Sequence, residues 1–325
     1  MEQIHNIQRT DLSALTTAIE RVRLEIGKVI VGQVQMIDLL LSAILSDGHV
    51  LIEGVPGVAK TLTAKLLARS IDVNFSRIQF TPDLMPSDVL GTSVFNPQNA
   101  SFQYKKGPIF SNIVLIDEIN RSPAKTQAAL FEVMEEKQVT FDGITYPMSS
   151  PFIVLATQNP IEQEGTYRLP EAQLDRFLFK ITVGYPNLEE EVQILQNTHD
   201  GKTTHFNEVV EKVLTGNQIE DFRRQVSSLH IEQNVMEYIA KIIHETRNNK
   251  SLFLGGSPRA SVAVLKTSKA FAAMQGRDFV TPDDVVMVVP PVLRHRILLT
   301  PEREMEGMVP DDVIDIILKK VEVPR

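Results

Sequence analysis

Five short apolar runs, separated by segments long enough for crossover helices, predict an α/β fold. The expected architecture is a parallel five-stranded sheet flanked by helices and followed by an all-helical C-terminal lid. Two further observations support this reading. A Gly/Pro turn joins the first apolar run to a helical stretch, and strand-like runs stop at Tyr185-Pro186-Asn187. A boundary is expected there, between a domain of residues 1–186 and one of residues 187–325.

The elements follow in order. Residues 11–47 carry apolar positions at helical spacing, and Val31-Gly32-Gln33 breaks them into two helices. The five strands are expected at 49–53, 74–80, 113–117, 152–156 and 178–183. Two stretches alternate apolar and polar residues around turn signals and read as hairpin inserts. One spans about 92–111 around Asn96-Pro97-Gln98-Asn99, the other about 138–148 around Asp142-Gly143. In the second half, Ser257-Pro258 and Thr281-Pro282-Asp283-Asp284 read as N-caps followed by proline at the first helical position.

Composition excludes several classes. With 325 residues, 43% of them hydrophobic and 23% charged, the chain is a folded globular protein rather than a disordered or low-complexity one. The 33 Lys and Arg against 41 Asp and Glu give a net charge of −8, the wrong sign for a general nucleic-acid or membrane-surface binder. Absence of cysteine removes disulfides, thiolate nucleophiles, Cys-ligated zinc and iron–sulfur clusters. The N-terminus lacks the basic and apolar regions of a secretory signal, and no apolar run approaches the roughly 18 to 20 residues that span a bilayer. A cytoplasmic location with no membrane span is the expectation.

The chemistry begins where the first strand ends. Gly54-Val55-Pro56-Gly57-Val58-Ala59-Lys60-Thr61 matches the phosphate-binding pattern G-x-x-x-x-G-K-[ST] except at its sixth position, where Ala59 replaces glycine. In such a loop the backbone N–H groups and the following helix N-terminus wrap phosphates, so Gly54 through Leu62 are nucleotide-binding candidates. Lys60 adds a point charge and the Thr61 hydroxyl reaches Mg²⁺. Alanine at position 59 is expected to fit with a negative φ.

Further along, Ile113-Val114-Leu115-Ile116 delivers Asp117 and Glu118. An Asp for the magnesium shell and a Glu to polarise water are what phosphoryl transfer to water requires, and their strand is expected next to the loop strand. The fourth run leads to Asn159, an amide able to orient the same water. Arg176 precedes the last strand, far from Lys60, and has little reason to serve its own nucleotide. Supplied in trans, such an arginine is worth roughly 10³ or more in rate. A surface arginine paired with Asp175 or Glu171 is the alternative.

Together GVPGVAKT, IVLIDEINRSP, ATQNP and LPEAQLDRF resemble the MoxR group of AAA+ ATPases, and the resemblance runs from about residue 11 to 323. It implies ATP and Mg²⁺ as cofactors, Lys60 and Thr61 as Walker A, and Asp117 and Glu118 as Walker B. It further implies Asn159 as sensor 1, Arg176 as an arginine finger given to a neighbouring subunit, and Arg259 as sensor 2. Val31 and Gly32 would sit beside adenine, and the two hairpins would point to the pore of a homo-hexameric ring. The resemblance also implies a chaperone-like role on a protein client, often beside a von Willebrand A domain partner. A DNA motor is the second class, opposed by the net charge, and a slow nucleotide-dependent binding switch is the third.

Other charged residues carry less. Arg168 reads as a solvated charge, with a reach to the subunit interface as the lesser alternative. Lys105-Lys106 reads as a solvated strand end or a client contact, and Arg294-His295-Arg296 is too short for a nucleic-acid stripe. The seven histidines show no paired ligand spacing.

Overall fold

The structure, a computed structural model, describes residues 10–98, 100–159, 167–200 and 209–324. Asn99 of the first hairpin turn and Pro160 of the ATQNP run lie outside the described residues.

Two helices open the chain, α1 (Ser13–Gly27) and α2 (Val34–Leu45), broken where Gly32 and Gln33 take positive φ of 67° and 55°. Strand β1 (His49–Gly54) leads through the loop into α3 (Lys60–Ser70), followed by β2 (Phe75–Gln79) and α4 (Pro86–Leu90). The hairpin β3 (Gly91–Asn96) and β4 (Ser101–Lys106) comes next, then β5 (Ile113–Asp117) and α5 (Ala124–Glu136). A second hairpin, β6 (Gln138–Phe141) and β7 (Ile144–Pro147), precedes β8 (Ile153–Gln158), α6 (Glu171–Leu174) and β9 (Phe177–Val183).

The five expected strands form one parallel sheet in the order β2-β5-β8-β1-β9. This order corrects one expectation: β5, which carries Asp117, is not adjacent to β1. Strand β8 pairs with both, with Leu155 opposite Val50 on one side and Leu115 on the other. Apolar runs reveal the number of strands but not their order.

Both faces of the sheet are covered, so the central strands β5, β8 and β1 are buried runs rather than alternating ones, while the outer strand β2 carries Ser76, Arg77 and Gln79. On one face Val50, Ile52, Leu115 and Phe179 pack with α1, α2 and α3 in a core that continues into the lid through Ile239, Val264 and Val289. On the other, Leu51, Val114, Ile116 and Phe177 pack against Leu130, Phe131 and Met134 of α5.

The two hairpins are tied together by aromatic rings. Tyr104 of β4 lies 4.8 Å from both Phe141 and Tyr146 of the second hairpin, and its hydroxyl donates to Leu90 O at 2.6 Å. Lys106 Nζ lies 4.8 Å from the Phe110 ring and 5.9 Å from Tyr146, so this lysine belongs to the joint. Asp142 and Gly143 both have positive φ, as a two-residue turn matched to strand twist requires.

The lid contains α7 (Leu188–His199), α8 (Gly216–Ser228), α9 (Gln233–Asn248), β10 (Leu252–Leu254) and α10 (Pro258–Met274). It ends with α11 (Pro282–Leu293), β11 (Leu298–Leu299), α12 (Pro301–Met305) and α13 (Pro310–Lys320). Among the described residues its strands are one antiparallel pair, β10 with β11, whose runs are too short to show a period of two in the sequence. Thr281 begins α11 within a capping box shared with Asp284. Ser257 stands at the N-cap of α10 but does not cap with its side chain; its hydroxyl donates instead to Asp175 Oδ2 at 3.1 Å.

The Arg294-His295-Arg296 cluster is the joint between lid and sheet. Arg296, nearly buried, donates to Asp175 Oδ1 at 2.8 Å and to the carbonyls of Phe177 and Leu178 at 2.7 and 3.1 Å. His295 Nε2 bonds the Phe177 carbonyl at 2.9 Å, and Arg294 donates to Thr182 Oγ1 at 2.7 Å.

Candidate nucleotide site

In a parallel sheet every strand points the same way, so Gly54, Gln79, Asp117 and Gln158 all lie at one edge. The loop from Gly54 to Ala59 crosses this edge into α3. Gly57 has φ +89° with open space around its missing side chain. Ala59 is left-handed, at φ 57° and ψ 19°, which overturns the expectation of a negative φ. The loop must reverse into the helix at this residue, and for a side chain other than glycine that conformation costs about 1–2 kcal/mol.

No side chain caps α3, so its first-turn N–H groups point out of the helix toward the loop. Lys60 reaches back across the loop, its Nζ donating to Gly54 O at 2.5 Å. Thr61 and Leu62 follow in the first turn, half-buried. Loop N–H groups, an uncapped helix start, a lysine and a hydroxyl make a donor set that fits phosphate. The oxygens of Thr61 and Asp117 are hard ligands of the kind a Mg²⁺ shared with phosphates takes.

The segment expected beside adenine is tied to this loop. Gln33 Nε2 donates to Val58 O at 2.9 Å, while its Oε1 is buried with no donor among the described residues. Val31 and Gly32 directly precede it. Gly32 holds a left-handed φ of 67°, which favours glycine, and a Cβ there would stand 2.2 Å from the Glu190 carboxylate of α7. Glu190 also accepts from Asn187 N–H at 2.9 Å, closing the capping box that begins the helix.

Asp117 and Glu118 emerge at the same edge with partners far away in sequence. Asp117 is buried; Arg77 Nε of β2 donates to its Oδ2 at 2.5 Å and the Thr157 hydroxyl donates to its Oδ1 at 3.1 Å. That hydroxyl accepts the Glu118 N–H at 3.0 Å. Glu118 is left-handed at φ 57°, and its Oε2 accepts from Gln79 Nε2 at 2.7 Å and faces Arg121 at 3.3 Å. Asn159 directly follows β8, between the Asp117 strand and the loop strand. Thr157, Arg77 and Gln79 are site residues that sequence reasoning missed. The only trace of them is that each sits within two residues of its strand's end.

Arg176 and Arg259 lie elsewhere. Arg176 precedes β9, whose first residue pairs with His49 at the start of β1. A strand of six residues places it ~20 Å from the loop, at the opposite edge. There its Nη1 donates to Phe131 O at 2.6 Å and stands 3.9 Å from Glu135, rather than pairing with Asp175 or Glu171. Arg259 joins it, donating to the same Glu135 at 3.0 Å. The structure thus brings the two arginines together and keeps both away from Lys60. Arg168 is exposed, 3.6 Å from Glu171.

Similarity to known proteins identifies the family. Residues 49–179 match the model of the ATPase family associated with various cellular activities, and residues 244–317 match the AAA lid domain. The Bacillus subtilis protein YeaC is 47% identical over 92% of each chain. Chaperone MoxR1 of Mycobacterium tuberculosis is 43% identical over 97% of this chain and 84% of its own. A Cytophaga hutchinsonii crystal structure at 2.00 Å superposes with a TM-score of 0.89 at 44% identity, covering 96% of this chain and 97% of the other. The chain, with its phosphate-loop sheet and helical lid, belongs to the MoxR-type AAA+ ATPases.

Proposed function

We propose that the protein hydrolyses ATP at the carboxyl edge of its sheet, in a homo-hexameric ring whose neighbouring subunits complete each site, and that it uses this cycle to remodel protein clients. One observation carries the reading. The phosphate-binding set and the arginine pair lie on one chain at opposite edges of the same sheet, so a site containing both needs two subunits.

Each residue then has a role. Gly54 to Leu62 hold the phosphates, Lys60 by its charge, while Val31 and Gly32 border the base. Thr61 and Asp117 would hold Mg²⁺, which neutralises phosphate charge when bound. Glu118 takes the proton of the attacking water; Gln79 and Arg121 hold its carboxylate until then. Asn159 orients that water. Arg176 and Arg259 stabilise the charge developing on the nucleotide of the next subunit.

The domain boundary near residue 186 separates the nucleotide domain from the lid that moves with it. A chaperone role draws on MoxR1, named a chaperone, and on the family resemblance, which also supplies the von Willebrand A domain partner. Lys106, Arg294 and Arg296 are engaged inside the fold, and with a net charge of −8 this favours a protein client over nucleic acid. No helix among the described residues is long and apolar enough to cross a membrane; the cytoplasmic site of action rests on the sequence expectation alone.

Nucleotide binding and single-turnover hydrolysis test the assignment. Lys60→Ala should lose ATP binding, and Glu118→Gln should retain binding while hydrolysis falls at least about a hundredfold. Wild-type turnover by Glu118→Gln would contradict it.

A further inference from the structure

We propose that Glu135 is a positioning residue that presets Arg176 and Arg259 as a pair for the nucleotide of the neighbouring subunit. The inference rests on the trans reading of those arginines and adds what holds them.

Glu135 lies in the last turn of α5, at a cavity of about 310 Å³ lined by Asp47, Lys137, Lys266 and both arginines. Its carboxylate oxygens face different partners, Oε1 at 3.0 Å from Arg259 and Oε2 at 3.9 Å from Arg176. One turn earlier on the same helix, the Phe131 carbonyl accepts from Arg176 at 2.6 Å. One helical turn therefore engages two guanidinium groups that come from different parts of the chain.

That turn is itself anchored. His49 Nδ1 accepts from Val154 N–H at 3.0 Å, which leaves the proton on Nε2 to donate to Met134 O at 3.1 Å. The residue before Glu135 is thus fastened through a buried imidazole to β1 and β8. Beside Arg176, Asp175 is gripped by Arg296 and Ser257. The backbones on both sides are fixed, so the carboxylate sets where Arg259 points and holds it beside Arg176, which the Phe131 carbonyl also grips.

Without it, Arg259 would lose its partner and be repelled by Arg176, which only the Phe131 carbonyl would then hold. Trans stabilisation needs both in place as the neighbour docks, and loss of preorganisation appears as a loss of rate. Glu135 also subtracts charge from the site. It is 41% exposed and 3.9 Å from Arg176, so solvent screens that subtraction, and orientation is the larger effect.

Glu135→Ala should lower kcat at least about tenfold and leave the affinity of the same subunit for ATP, bound at the far edge, unchanged. Glu135→Gln, which keeps one acceptor, should fall between. Subunit mixing separates orientation from simple damage. Glu135→Ala mixed with Lys60→Ala should regain activity, because one interface then joins an intact loop to an intact arginine face. Glu135→Ala mixed with Arg176→Ala should not. A kcat for Glu135→Ala within twofold of wild type, or above it, would overturn the proposal. So would failure of Glu135→Ala to complement Lys60→Ala when Arg176→Ala does complement it. If Arg176→Ala itself fails to complement, the trans reading falls, and Glu135 loses its role with it.

Discussion

Ala59 shows how one residue can match a motif and still depart from its expected conformation. The loop demands a left-handed residue there, which most phosphate loops meet with glycine. Ala59→Gly should therefore raise stability by about 0.5–1 kcal/mol, the relief of strain less the added freedom of the unfolded chain, with nucleotide binding retained. Urea unfolding measures this, and a loss of stability would show that the strain is absent. His49 gives a second prediction. Burial pushes its pKa down to about 4, so the folded state keeps a neutral ring while the unfolded chain protonates near 6.5. The unfolded state binds the extra proton in that window, so stability is full above pH 6.5 and falls as pH drops toward 4, by up to ~3 kcal/mol. His295, also lowered by burial, acts in the same direction. Unfolding free energies between pH 8 and 5 should show this fall, and His49→Gln should flatten part of it; a flat wild-type profile would contradict the assignment.

At the scale of elements, the central strands β1, β5 and β8 were legible because a parallel sheet buried on both faces leaves unbroken apolar stretches. Lys60, Thr61, Asp117 and Glu118 were legible because their chemistry needs fixed local spacing. Thr157, Arg77 and Gln79 were not, since they reach the site by strand pairing, and strand order leaves no mark in local periodicity. Glu135 was hidden for the same reason: its partners are 41 and 124 residues away. Tyr104 is a further case, an ordinary strand residue that proves to be the hinge pin between two hairpins. Tyr104→Ala removes both ring contacts to the second hairpin, each worth about 0.5–1.5 kcal/mol, together with the edge contact to Phe110. Backbone hydrogen exchange should then accelerate in both hairpins, residues 91–106 and 138–147, with the five-stranded sheet still protected. Faster exchange in the first hairpin alone would show that they are not coupled.

For the whole molecule, the joint at Asp175 unites sheet, lid and arginine pair. Arg296→Ala would leave Asp175 without its buried guanidinium partner, and such a loss costs about 3–5 kcal/mol. Thermal unfolding should register a drop of that order, and Arg176 should lose its placement as well. A change below about 1 kcal/mol would mean that the lid is held elsewhere. The central claim is that the catalytic set is divided between the two edges of one sheet and completed by a second subunit. The most direct measurement mixes Arg176→Ala and Lys60→Ala subunits, each inactive alone, and follows ATP hydrolysis across mixing ratios. The account predicts that activity returns on mixing and peaks near equal amounts, where intact loop edges most often meet intact arginine edges. Mixed rings that form and yet stay inactive at every ratio would contradict it.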